Sequence, residues 1–204
     1  KPADSVSDSG TYYVVISNTH GSVTTHGVTL TVDPAVPPTI DLQPGSRSVY
    51  PGGTARLTVA ASGTLPIAYQ WKHAGTNIPG STNATLVVAN CTAEQAGAYT
   101  VSVANVAGTR TSSTATLTLL TPAANTYEQA VVDAGPIAYW RLGETAGTTA
   151  FDYAGGHDGL VFNNVTLSSA GPAAPSFPGL EAANTAYGFD GTDAYVEGGS
   201  LGLP

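Results

Sequence analysis

Gln95-Ala96-Gly97-Ala98-Tyr99-Thr100-Val101, continuing through Asn105 and Gly108 to Leu117, has a counterpart near the start of the chain in Asp8-Ser9-Gly10-Thr11-Tyr12-Tyr13-Val14, with Asn18, Gly21 and Leu30 following. Gly10, Tyr12, Val14, Asn18, Gly21 and Leu30 thus return 87 positions later as Gly97, Tyr99, Val101, Asn105, Gly108 and Leu117. A period that long is a whole domain, since solenoid and propeller units repeat every 20 to 50 residues or so. In both copies the Asn and Gly are followed by alternating β-forming residues, the pattern of a strand pair joined by a tight turn. Tandem domains of this kind space or present something, so the architecture speaks before any site does.

Upstream of the second copy, Leu57-Thr58-Val59-Ala60-Ala61-Ser62-Gly63 and Tyr69-Gln70-Trp71 read as two further strands. Together these segments resemble the immunoglobulin fold over residues 36–121. The resemblance implies an all-β sandwich with strand B at Leu57 and Trp71 as the buried Trp of strand C. It also implies that Tyr99, and Tyr12 in the first copy, stand at the E–F corner, ring in the core and hydroxyl bonded back to the backbone. The family's inter-sheet disulfide would fall at Val59 and Val101, with Val14 as the first-copy equivalent. A β-branched pair fills that space by contact and forgoes the roughly 2–4 kcal/mol of a disulfide. The expected core is therefore Val59, Trp71, Tyr99 and Val101, with Tyr12 and Val14 in the first copy. The single thiol, Cys91, reads as a small buried apolar residue, and His73 as a solvent-facing strand end. Residues 1–34 supply only strands F and G of their copy, enough for a hairpin and too little to close a sandwich. The chain is read on this basis as part of a longer secreted protein.

Composition agrees with an all-β protein. With 24 Gly, 14 Pro and no Met, turns are many and long helices are not expected. A mean hydropathy of +0.05 supplies enough apolar residues for packed cores, which argues against disorder. No apolar run approaches 18 residues, so membrane insertion is not expected. The net charge of −8 is uneven: residues 1–122 balance, whereas residues 123–204 hold nine acids and only Arg141. The change falls at Thr121-Pro122-Ala123-Ala124-Asn125, a linker by composition. Without a basic cluster, nucleic acid is a poor partner.

Beyond the linker come Tyr127-Glu128-Gln129-Ala130-Val131, Pro136 to Glu144, Ala150 to Gly159, and Ala186 to Val196. This succession resembles the N-terminal part of a laminin-G-like, concanavalin A-like jelly roll over residues 126–204, a sandwich common in bacterial extracellular proteins. Ile137 to Leu142 reads as a strand, with Ala138, Trp140 and Leu142 on one side and Tyr139 and Arg141 on the other, which places Trp140 in the core. Asp152 to Gly159 and Asp190 to Asp193 read as turns. Members of the resembled family often carry an ion, which implies Ca²⁺ with Asp152, Asp158 and Asp193 as candidate ligands and Glu144 as an outside choice. No helical calcium-loop pattern is present, and His157 reads as a solvated turn residue.

Nucleophile elbows, phosphate loops and zinc-hydrolase motifs are all absent from the sequence. A glycosidase would need two carboxylates about 5–10 Å apart. Asp193 and Glu197 come nearest, four apart and on one face if their strand runs unbroken. The expectation is a non-catalytic extracellular structural or adhesive module, its partner a glycan or a surface protein. The alternative is a carbohydrate-binding accessory region of a large secreted carbohydrate-active enzyme whose catalytic domain lies elsewhere.

Overall fold

The short alternating segments do form strands. A computed structural model describes residues 6–173, 175–177, 179–180, 183–199 and 201; the outer limits of the first and third units, Lys1 and Pro204, lie outside the described residues. The first copy comprises β1 (Gly10–Tyr12), β2 (Val15–Asn18), β3 (Gly21–Thr24) and β4 (Val28–Leu30), where β2 pairs with β3 and β1 with β4. No second layer covers these strands among the described residues. Tyr12 and Val14 are 52% and 59% exposed, whereas their counterparts Tyr99 and Val101 are 2% and 0% exposed. The expected core role of Tyr12 and Val14 is thereby corrected: the side chains alternate, but no opposing sheet among the described residues buries them. The corner itself survives, because the Tyr12 hydroxyl still donates to the Asp8 carbonyl at 2.6 Å.

The second copy closes into a sandwich from β5 (Thr39–Leu42), β6 (Arg47–Val49), β7 (Ala55–Thr58), β8 (Ala60–Ser62), β9 (Ala68–His73), β10 (Thr76–Asn77), β11 (Thr85–Val88), β12 (Gly97–Asn105), β13 (Gly108–Thr111) and β14 (Ala115–Leu119). One layer runs β10-β9-β12-β14-β6 with β13 also on β12, all antiparallel except β14 with β6. The other layer pairs β5 with β8 and β7 with β11. Between β7 and β8, Val59 keeps the ladder by donating its N–H to the Ala84 carbonyl at 2.9 Å. Alternate residues of β12 point inward, so Tyr99, Val101 and Val103 join Leu57, Val59, Trp71, Leu86, Cys91 and Leu117 in one buried cluster.

The polar atoms of the two buried core aromatics are satisfied. The Trp71 indole donates to the Asn83 carbonyl at 2.9 Å and the Tyr99 hydroxyl to the Gln95 carbonyl at 2.7 Å. Gly97 enters β12 at φ +127°, a conformation closed to other residues, and its bare Cα faces the His73 ring. His73 is not solvent-facing as expected: its ring stacks on Tyr99 at 4.6 Å and Nε2 lies 3.0 Å from the Ala96 carbonyl. Cys91 is fully buried and unbridged, and burial pushes its thiol pKa up.

The C-terminal unit opens with a short helix, α1 (Tyr127–Asp133), capped by Thr126, whose hydroxyl oxygen accepts the Gln129 N–H. It continues with β15 (Thr149–Ala150), β16 (Gly159–Phe162), β17 (Thr166–Ala170), β18 (Thr185–Gly188) and β19 (Tyr195–Glu197). These make a sheet ordered β15-β16-β19 and a separate β17–β18 pair. Ile137 to Leu142 is not the expected strand, since it contributes only one isolated bridge, Trp140 to Asp152. The reasons are local: Pro136 has no N–H to give, the Tyr139 N–H goes to the Asp152 carboxylate, and Leu142 turns to φ +54°. Trp140 is half-buried rather than a full core residue, with its indole donating to the His157 carbonyl at 3.0 Å.

Candidate functional site

The chemistry-bearing side chains converge where the sandwich meets the C-terminal unit. From the sandwich come Arg47 on β6 and the turn Tyr50-Pro51-Gly52-Gly53 that follows it. From the other side come Glu128 on α1, Tyr139, Arg141 and the loop 151–158. The two halves share backbone hydrogen bonds: the Tyr50 N–H donates to the Tyr153 carbonyl at 3.0 Å and the Thr54 N–H to the Ala154 carbonyl at 2.6 Å. Approach this close needs Gly53, where a Cβ would lie 2.9 Å from the Ala154 oxygen.

Side chains complete the junction. The buried Tyr50 ring stacks on Tyr139 at 6.0 Å and tilts against Tyr153 at 6.3 Å, and its hydroxyl donates to Glu128 Oε1. Arg141 reaches the same Glu128 oxygen at 3.0 Å and lies over the Tyr153 ring. Arg47 lies over the Phe151 ring at 4.9 Å and pairs with Asp158 Oδ2 at 3.1 Å. Burial, then the hydrogen bond to Glu128, raises the Tyr50 pKa well above the usual phenol range, so the hydroxyl remains a donor.

One carboxylate shapes the loop that makes these contacts. Asp152, 3% exposed, accepts the N–H groups of Tyr139 at 2.8 Å, Ala154 at 2.9 Å, Gly155 at 3.1 Å and His157 at 2.8 Å, with His157 Nδ1 at 3.2 Å. Burial pushes its pKa up, but the N–H groups of Tyr139, His157, Ala154 and Gly155 outweigh burial and hold it below the usual value. Behind it the buried Glu144 accepts the Phe151 N–H at 3.0 Å and the Tyr187 hydroxyl at 2.7 Å.

The residues expected as calcium ligands do not form one set. Both Asp152 oxygens are occupied by N–H donors, while Asp158 divides its oxygens between the Asp152 N–H at 3.0 Å and Arg47. Asp193 sits apart, in a turn closed by Asp190 Oδ1, which accepts the N–H groups of Thr192, Asp193 and Ala194. Among the described residues no group of three His, Cys, Asp or Glu side chains could hold a metal ion. The same turn separates Asp193 from Glu197, because β19 begins only at Tyr195. The unbroken strand a carboxylate pair would need is not there. His157, expected in solvent, is instead tied to Asp152. The junction residues Arg47, Tyr50 and Glu128 went unnoticed in the sequence, where an aromatic before Pro-Gly-Gly marks only a turn.

Residues 37–105 match the family model of the immunoglobulin domain, so the chain carries an immunoglobulin-like domain. No curated protein matches the chain. Among solved structures, Sidekick-1 immunoglobulin domains 1–5 are 29% identical over 56% of this chain and 26% of that one, with a TM-score of 0.44. The extracellular domains 3–5 of Drosophila OTK are 21% identical over 57% of this chain and 41% of that one, TM-score 0.41. Titin M4 is 26% identical over 43% of this chain and 100% of its own, TM-score 0.40. The chain spans less than half the length of the first two. No helix among the described residues is long and apolar enough to cross a membrane.

Proposed function

We propose that this chain is a non-catalytic structural and adhesive module of an extracellular protein. In it an immunoglobulin-like spacer grips the N-terminal part of a laminin-G-like unit and presents it, at a set orientation, to a glycan or surface protein. The observation that carries the reading is the junction. Two backbone hydrogen bonds, the Arg47–Asp158 pair and the Tyr50–Glu128 bond cross between the units. Units joined only by a flexible linker would not share backbone bonds, and a spacer that sets direction requires such contacts. The sandwich's one thiol, Cys91, is buried, and the Tyr99 hydroxyl is engaged as a donor.

NMR relaxation of the ¹⁵N-labelled chain tests this. Amides of residues 39–119 and of β15, β16 and β19 should report one rotational correlation time. Tyr50→Ala, which removes the stack and the Glu128 bond, should split it into two. Independent tumbling of the two units in the unaltered chain would refute the spacer reading.

A further inference from the structure

We propose that the groove between β6, β7 and the 156–158 loop binds the carboxylate of an acidic sugar, a hexuronate. This deepens the adhesive reading and rests on it. The chain has six Lys and Arg against 14 acids, yet two of the six, Arg47 and Arg56, line this one groove. Asp158 is the only acid on its described walls, and it is already paired with Arg47 at 3.1 Å and with the Asp152 N–H. Arg56 has no ion-pair partner among the described residues. Among the described residues the groove therefore keeps one guanidinium, that of Arg56, without a carboxylate partner, which the carboxylate of a ligand can supply.

Arg56 also lies against the 156–158 loop. Its stem lies over Gly156, where a Cβ would come 3.4 Å from Cγ and 3.5 Å from Nε, and Gly156 sits at φ +72°. A guanidinium so positioned can take a carboxylate with two parallel N–H bonds. Among the described residues the remaining walls favour a hydroxyl-bearing ring over an apolar peptide side chain: Thr58, Gly156 and Gly199 offer a hydroxyl and backbone groups, and Leu201 alone is apolar. The groove is open to solvent, with a volume of ≈ 510 Å³.

The test is a ¹⁵N chemical-shift titration of the whole chain at low salt with D-galacturonate, D-galactose and acetate in parallel. Galacturonate should give saturable shifts at Arg56, Gly156 and His157, galactose none, and acetate only weak ones. Arg56→Gln should weaken galacturonate about tenfold or more, as should raising the salt, whereas Arg110→Gln, on exposed β13, should change nothing. Absence of saturable galacturonate shifts, equal shifts with acetate, or full binding by Arg56→Gln would each overturn the site. Because the relaxation experiment reads the junction separately, such a failure with single-body tumbling intact would leave the spacer reading standing.

Discussion

Replacing Asp152 by Asn changes one atom and should undo the loop on which the junction depends. Oδ1 accepts the N–H groups of Tyr139, Ala154 and Gly155, and Oδ2 those of Gly155 and His157 together with His157 Nδ1. Whichever way the amide turns, its NH₂ confronts at least two N–H donors. A buried donor left unpaired costs about 1–3 kcal/mol; Gly155 N–H reaches both oxygens and keeps one acceptor either way, so the substitution should cost about 1–3 kcal/mol with the NH₂ at Oδ2 and about 2–6 kcal/mol with it at Oδ1. The two tryptophan indole N–H signals report the units separately: Trp71 donates to Asn83 inside the sandwich, and Trp140 to His157 in the loop. In a urea titration followed by ¹⁵N spectra, with a slope of about 1–2 kcal/mol per M, the Trp140 midpoint should fall by about 0.5 M or more. The Trp71 midpoint should move far less. Acid should do the same to the unaltered chain. Asp152 has a folded pKa below its usual 3.8, so its contribution is complete above that value and is lost as pH falls through the lower folded one. A Trp140 midpoint within about 0.3 M of the unaltered chain would refute the reasoning, because a loop that tolerates reversed donors is not organised by that carboxylate.

The two corner tyrosines should differ although their hydroxyl bonds match. Tyr99→Phe removes a bond in the core and should cost about 1–2 kcal/mol in denaturant unfolding, while Tyr12→Phe should leave the midpoint of the sandwich unchanged. Millimolar Ca²⁺ should not raise the melting temperature, read by circular dichroism with EDTA as control, because the Asp152 and Asp158 oxygens are already taken. A rise of several degrees would show that the loop rearranges to bind the ion.

The sandwich was legible because its information is local and periodic. Alternation fixes which side chains of Tyr99, Val101 and Val103 share a face, and a Gly at positive φ marks the corner before them. The same reading erred for Tyr12 and Val14, since a strand's pattern says which face is apolar but not whether anything covers it. It erred for Ile137 to Leu142 because a carboxylate 13 residues on from Tyr139 outcompeted a neighbouring strand for its N–H.

The amino-acid order by itself determined the repeat and the all-β class, and the resemblance it carries to the immunoglobulin fold implied the corner tyrosines and Val59 and Val101 where that family places a disulfide. Only tertiary structure decided that Asp152 is a loop organiser instead of a metal ligand, and that Arg47 and Tyr50 reach across to Asp158 and Glu128. The physical reason is range. Alternation and turn chemistry act over a few residues, whereas the Tyr139 N–H finds its carboxylate 13 positions on and the Tyr50 hydroxyl finds Glu128 78 positions on, at distances the sequence does not encode.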